Sequence, residues 1–255
     1  MLMGAGNAAE YPIDDNTFDM EVSGGARYMV IRDVLILYFY GSYGRPISIL
    51  DHPWINKNHK KVSIDCHVLL MPGGGEYGPK WHEQGINNKY EKQQSWLKIA
   101  IEYILSMKQK NEKLILETNS AGAVAAISCY RGKNNIDGMI LNSPFLHLPS
   151  VLSNKKPELL DKQDQNEWLD LKNDNNCLSL IDQNNHFSPI LIFSGKYDTI
   201  TPREKIEKWI KENQHSHSKI IKMHNIPSGG HGFNTKDHHV AEKEKLDFIE
   251  GILSQ

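Results

Sequence analysis

The 255-residue sequence predicts an α/β fold, a mainly parallel sheet with helices on both faces, and three observations carry that prediction. Short apolar runs alternate with helical patterns along most of the chain. One run, Val34-Leu35-Ile36-Leu37-Tyr38-Phe39-Tyr40, is unbroken, which fits a strand buried on both sides better than a strand with one wet face. A balance of 24% charged to 39% hydrophobic residues suits one globular domain with a substantial core.

Taken in order, residues 1–24 mix glycine, acidic and polar side chains and read as a loose N-terminal arm, with the globular domain over residues 25–255. Strands are expected at Arg27–Arg32, Val34–Tyr40 and Val62–Leu70, with Lys57–Lys61 an exposed basic turn between the last two. Pro72-Gly73-Gly74-Gly75-Glu76 is a sharp glycine loop. Gln94–Lys108 is a helix with Trp96, Leu97, Ile99, Ala100, Tyr103, Ile104 and Leu105 clustered on one face. Leu114–Glu117 is a strand that feeds the helix Ala121–Tyr130. Gly138–Asn142, Pro189–Ser194 and Lys219–His224 are further strands, and Pro202–Lys211 and His239–Leu253 further helices. Residues 146–187 are polar, read as helical with Trp168, Leu169 and Leu171 as a partial apolar face, and form the candidate lid or cap.

A net charge of −2 offers nothing to attract nucleic acid or an anionic membrane, and no apolar stretch is long enough to span a bilayer. Met1-Leu2-Met3-Gly4-Ala5-Gly6-Asn7 lacks the basic and apolar regions of a signal peptide. Cys66, Cys129 and Cys177 are odd in number and far apart, which fits reduced thiols in the cytoplasm. No metal or organic cofactor is expected: His215, His217 and the adjacent His238-His239 lack a third ligand at a familiar spacing.

The chemistry is carried by the carboxyl ends of the strands, where open parallel sheets place their functional loops. Ile115-Leu116-Glu117-Thr118-Asn119-Ser120-Ala121-Gly122-Ala123 runs from an apolar strand through a serine flanked by small residues into a helix. A tight turn of this kind pushes a serine Oγ outward, although Thr118 stands where such elbows usually have a small residue. By itself the serine reads more readily as a helix cap than as a nucleophile. The strand at 190–193 is followed by Asp198, and the strand at 220–223 by Ser228-Gly229-Gly230-His231-Gly232. The chain order Ser120, Asp198, His231 is that of α/β-hydrolases: a nucleophile, an acid that orients an imidazole, and the imidazole as base. An oxyanion would be met by the backbone N–H of Ala121 and by a second donor, either the hydroxyl of Tyr40 or the amides of Gly73, Gly74 and Gly75. The geometric expectation is a distance from Ser120 Oγ to His231 Nε2 within about 3.5 Å.

Over residues 25–255 the chain resembles the catalytic domain of the prolyl oligopeptidase family, oligopeptidase B included. Tyr38-Phe39-Tyr40-Gly41-Ser42-Tyr43-Gly44 resembles the family's Y-G-Y-G-S-Y-G, and the resemblance makes Tyr40 the oxyanion tyrosine. Gly73-Gly74-Gly75-Glu76-Tyr77-Gly78-Pro79-Lys80-Trp81-His82 resembles its G-G-G-E-x-G-x-x-W-H/Y segment, and Ser120, Asp198 and His231 fall on the nucleophile, acid and base. The resemblance implies a cofactor-free serine hydrolase acting on small peptides. This sequence departs from the pattern in lacking the family's N-terminal β-propeller, in Thr118 and Pro72, and in the arginine after the acid that grips the peptide backbone, for which Arg203 is a poor substitute. Those departures leave two rivals: an esterase on a non-peptide substrate, and a non-catalytic relative that binds a partner through the old cleft.

Overall fold

The computed structural model describes residues 2–4, 33–47, 54, 62–86, 89–108, 110–130, 135–146, 167–168, 180, 188–213, 221–232 and 235–255. Seven strands form one sheet: β1 (Leu2–Gly4), β2 (Val34–Phe39), β3 (Ile64–Leu69), β4 (Lys113–Asn119), β5 (Gly138–Asn142), β6 (Ile190–Gly195) and β7 (Ile221–Ile226). The spatial order is β1-β3-β2-β4-β5-β6-β7. β2 to β7 are parallel, and β1 pairs antiparallel with the outer edge of β3. The helices are α1 (Pro79–Ile86), α2 (Lys89–Met107), α3 (Gly122–Tyr130), α4 (Arg203–Asn213) and α5 (Thr235–Leu253).

Alternation along each strand sorts the core into two layers, because successive side chains point to opposite faces. Leu35, Leu37, Phe39, Leu114, Leu116, Met139, Leu141 and Ile192 pack with α2, α3 and the Ile206 and Trp209 side chains of α4. Val34, Ile36, Tyr38, Cys66, Val68, Ile115, Ile140, Leu191 and Phe193 pack on the other side with Ala241, Ile249 and Ile252 of α5. α3 is buried on every side, and its run of small residues (Gly122-Ala123-Val124-Ala125-Ala126) lets it lie close against the sheet under α2.

β2 to β7 fall within two residues of their expected ends, whereas Leu2–Gly4, expected as part of a loose arm, is a strand because it pairs with the open edge of β3. α2 begins five residues before Gln94, and its buried stripe is Gln93, Leu97, Ala100, Ile101 and Ile104; Ile99, expected on that stripe, faces solvent at 43% exposure. α1 was not expected as a helix. It forms because the glycine loop turns back on it: the Gly73 N–H donates to Trp81 O at 3.1 Å, and Trp81 Nε1 donates to Glu76 Oε2 at 3.2 Å. The expected elements at Arg27–Arg32 and Lys57–Lys61, His215 and His217, Cys177, and most of the candidate lid lie outside the described residues.

The α5 side of the sheet holds a buried ion pair. Glu117 of β4 accepts from Lys245 of α5 at 2.5 Å and from Asn142 of β5 at 3.1 Å. Its other oxygen accepts from Trp54 Nε1 at 2.5 Å. Burial, then the charges of Glu117 and Asp65, push the Cys66 thiol well above its ordinary pKa, so it stays neutral and inert. Removing one member of a buried pair costs far more than replacing both. Lys245→Met is therefore expected to destabilise the fold by about 3–5 kcal/mol in urea denaturation, and Glu117→Leu added to it to recover most of that loss.

Candidate active site

β4 delivers Ser120 at the carboxyl edge of the sheet. Ser120 has φ +43°, a left-handed conformation that is unfavourable for a residue with a Cβ. Three backbone bonds hold it there: its N–H donates to Asn142 O at 2.9 Å, and its carbonyl accepts from Ala123 N at 3.1 Å and Phe145 N at 2.9 Å. Strain held by surrounding bonds is the pattern of a nucleophile elbow.

Thr118 explains itself in this geometry. Its hydroxyl donates to Phe39 O at 2.6 Å, tying β4 to β2 beneath the turn. A Cβ on Gly122 would lie 2.0 Å from Thr118 Oγ1, so the missing atom at 122 is what makes room for the threonine at 118. The departure at 118 is absorbed by the glycine across the turn.

The candidate base His231 and candidate acid Asp198 follow β7 and β6. Their loops are pinned to each other: Lys196 N donates to Ile226 O at 3.0 Å and Tyr197 N to Gly229 O at 2.9 Å. His231 Nε2 lies 2.9 Å from Ser120 Oγ, and its Nδ1 lies 3.0 Å from Asp198 Oδ2. The imidazole side chain is 23% exposed, while the Asp198 side chain is fully covered. Asp198 Oδ1 accepts from Ile200 N at 2.9 Å and Thr201 N at 2.8 Å, and Oδ2 accepts from the Thr201 hydroxyl at 2.6 Å. Burial by itself would raise the Asp198 pKa; hydrogen bonds from His231 and Thr201 outweigh it and hold the carboxyl down at about 2.

Tyr40 follows β2, whose Phe39 pairs with Thr118, so its backbone sits beside the elbow. Burial pushes its hydroxyl up to about 12; nearby Arg45 opposes that and Glu167 adds to it, so the phenol is a neutral donor at physiological pH. The Ala121 N–H donates to no backbone carbonyl among the described residues. The alternative donors on the glycine loop are largely spent: the Gly73 N–H bonds Trp81 O, the Gly74 N–H bonds Met71 O at 3.1 Å, and the Glu76 carboxylate packs against Gly74, where an oxyanion would be repelled. Arg203 pairs with Glu207 at 2.7 Å on the surface of α4, and His238 and His239 lie on the exposed face of α5.

Four residues near this edge take part in ways the sequence does not indicate, Trp168 among them although it was expected on the apolar face of the lid. Buried Gln93 donates to Gly41 O and, at 3.0 Å, to Pro72 O, clamping the loops after β2 and β3 together. Glu167 accepts from Tyr43 N and lies 3.3 Å from His82 Nε2. Trp168 donates to Tyr43 Oη at 2.8 Å and stacks on Phe145 with ring centroids 5.5 Å apart. Thr201 grips Asp198 through both its N–H and its hydroxyl. Only Thr201 left a signal, as the aspartate-x-x-threonine-proline spacing that lets a hydroxyl turn back on a carboxylate.

A parallel sheet flanked by helices, with a strained serine, a histidine and an aspartate joined at the carboxyl edge, defines the class: an α/β-hydrolase. Comparison with known proteins narrows this. A profile of the Prolyl oligopeptidase family matches residues 66–255. Prolyl endopeptidase-like proteins of Gallus gallus and Xenopus laevis are 27% and 24% identical over 54% and 52% of this chain. This chain spans only 19% of the length of either. Among solved structures, oligopeptidase B from Leishmania major superposes with a TM-score of 0.66 at 20% identity, covering 88% of this chain and 33% of that one. Est1E from Butyrivibrio proteoclasticus, solved with ferulic acid bound, gives a TM-score of 0.66 at 16% identity, covering 88% of this chain and 91% of its own. The chain belongs to the prolyl oligopeptidase family, whose members are serine hydrolases.

Gly122→Ala is expected to abolish labelling of Ser120 by a fluorophosphonate, and Thr118→Ala added to it to restore part of the labelling rate, because the clash is with the threonine hydroxyl. The folded pKa of Asp198, about 2, lies below its ordinary 3.8, so its contribution to stability is complete above that ordinary value and is lost as pH falls through the folded one. Acid unfolding followed by circular dichroism is expected to be less steep between about pH 4 and pH 2 in Asp198→Asn than in the parent.

Proposed function

We propose that this chain is a serine hydrolase that cleaves small peptides through an acyl-enzyme, with Ser120 as nucleophile, His231 as general base and Asp198 as its orienting acid. The observation that carries this reading is the continuous hydrogen-bonded path from Ser120 Oγ through the His231 ring to a buried, ionised Asp198. His231 takes the Ser120 proton as Oγ attacks an acyl carbonyl. The Ala121 N–H and the Tyr40 hydroxyl meet the oxygen that becomes negative, each worth a few kcal/mol when aimed correctly. As the tetrahedral intermediate collapses, His231⁺ hands its proton to the leaving amine. Water, deprotonated by the same imidazole, then releases the acid and regenerates Ser120.

Asp198 keeps its charge throughout. Its low pKa favours a carboxylate over a carboxyl group, so it stabilises the imidazolium without accepting its proton. Free, buried thiols at Cys66 and Cys129 support a cytoplasmic setting.

An esterase acting on a non-peptide acyl substrate is the second reading. It is favoured by the near-complete mutual coverage with Est1E, and by an acid loop whose nearest arginine is already paired with Glu207. A non-catalytic role loses its main sequence argument, since Thr118 fits the elbow through Gly122.

Ser120→Ala is expected to eliminate fluorophosphonate labelling while leaving the fold intact by circular dichroism; labelling that persists overturns the assigned nucleophile. Cleavage of short peptide amides by the parent supports peptidase action. Turnover confined to short-chain p-nitrophenyl esters transfers the conclusion to the esterase reading.

A further inference from the structure

Thr201 has no part in the three-residue mechanism, yet it is fully buried and makes more bonds to Asp198 than His231 needs from it. Its hydroxyl has one proton and two acceptors in reach, Asp198 Oδ2 at 2.6 Å and Ser143 O at 3.2 Å. The shorter contact, to the charged acceptor, takes the proton. The same oxygen lies 3.4 Å from His231 Nδ1, so Thr201, Asp198 and His231 close a small buried triangle.

We propose that Thr201 is a positioning residue of this site: its hydroxyl, donating to Asp198 Oδ2 beside His231 Nδ1, holds that oxygen in place and sets the charge it presents to the imidazole. The inference rests on the hydrolase reading above for its catalytic consequence, but not for the bond itself.

Oδ1 is held by two backbone N–H groups and also lies 3.2 Å from His231 Nδ1, so the backbone turn fixes one end of the carboxylate. Oδ2, the oxygen nearer to His231 Nδ1 at 3.0 Å, has the Thr201 hydroxyl as its other donor at 2.6 Å, so that hydroxyl holds the end of the carboxylate that the imidazole meets. Among the described residues, His231 is the only charged or titratable group that acts on this carboxylate; every other donor to it is an uncharged group of its own loop. Valine would fill the same space at 201 and keep the backbone N–H, so shape and turn geometry do not require a hydroxyl here. What the hydroxyl adds is a bond to a buried anion, where an unmade bond is expensive.

The test uses the whole chain. Thr201→Val is expected to lower the second-order rate of Ser120 labelling by a fluorophosphonate by about ten-fold or more. It is also expected to raise the acid limb of the labelling pH profile, since a carboxylate with one donor fewer holds a proton more readily and stabilises the imidazolium more strongly. The carboxyl ¹³C titration of Asp198 in NMR is expected to move upward in the same variant, and Thr201→Ser to restore both rate and titration. An unmoved Asp198 titration and an unchanged labelling rate in Thr201→Val overturn the proposal. If the valine variant does not fold, Thr201→Ser decides: parental labelling and titration sustain the role of the hydroxyl, and a ten-fold loss with the hydroxyl retained overturns it. A parent protein that never labels, but whose Asp198 titration responds to Thr201→Val, retains the bond and loses only the reaction.

Discussion

The turn at Ser120 is the constraint on which the rest of the site depends. A residue with a Cβ in the left-handed region costs roughly 1–2 kcal/mol, and here the cost is offset by backbone bonds to both neighbouring segments of the chain. Those bonds exist only because β5 ends level with β4, and because α3 starts close enough for Ala123 to reach back to the serine carbonyl. The close start of α3 in turn needs a residue without a side chain at 122. Thr118 occupies the space so released and uses its hydroxyl to join β4 to β2. Nucleophile, sheet and helix are thus one mechanical unit.

Asp198 and His231 form a second unit, assembled at the ends of β6 and β7 and brought to the first by strand order and a glycine path. β5 stands between β4 and β6, so a residue on the β7 loop must cross the strand ends to reach Ser120. The glycine-rich segment Gly229-Gly230 supplies that path; a Cβ on Gly195 would lie 2.2 Å from Gly230 O, a sign of how closely the two loops are pressed together. Electrostatics divides the labour. Asp198 is kept anionic at about 2 by the donors around it, and Tyr40 is kept protonated at about 12 by burial, so at neutral pH one offers charge and the other a hydrogen.

A third set of contacts holds the loops after β2 and β3 against each other and against residues 167 and 168. Gln93 clamps two carbonyls, Glu76 accepts from Trp81 and from Ile47 N at 3.0 Å, and Glu167 accepts from Tyr43 N. These side chains carry the segment that resembles G-G-G-E-x-G-x-x-W-H. They give its glycine, glutamate and tryptophan positions a structural reason: a folded-back loop that fixes the chain following Tyr40.

The sequence by itself determined six of the seven described strands, β2 to β7, and placed Ser120, Asp198 and His231 each just after one of them. Apolar runs such as Val34–Phe39 can be satisfied only between two helical layers, and a serine, an aspartate and a histidine each placed just after such a run must surface at the same edge of a parallel sheet. It could not announce α1, whose Pro79–Ile86 has little apolar face and forms by bonding to the glycine loop just before it. Nor could it show that Ile99 points outward, since several neighbouring apolar residues compete for one stripe and packing against α3 chooses among them. Only the tertiary structure decided that Thr118 is compatible with the elbow, that the Gly73 and Gly74 amides are already used, and that Thr201 holds Asp198. Each of these is a matter of which donor meets which acceptor in the folded chain, and residue order alone does not record such a choice.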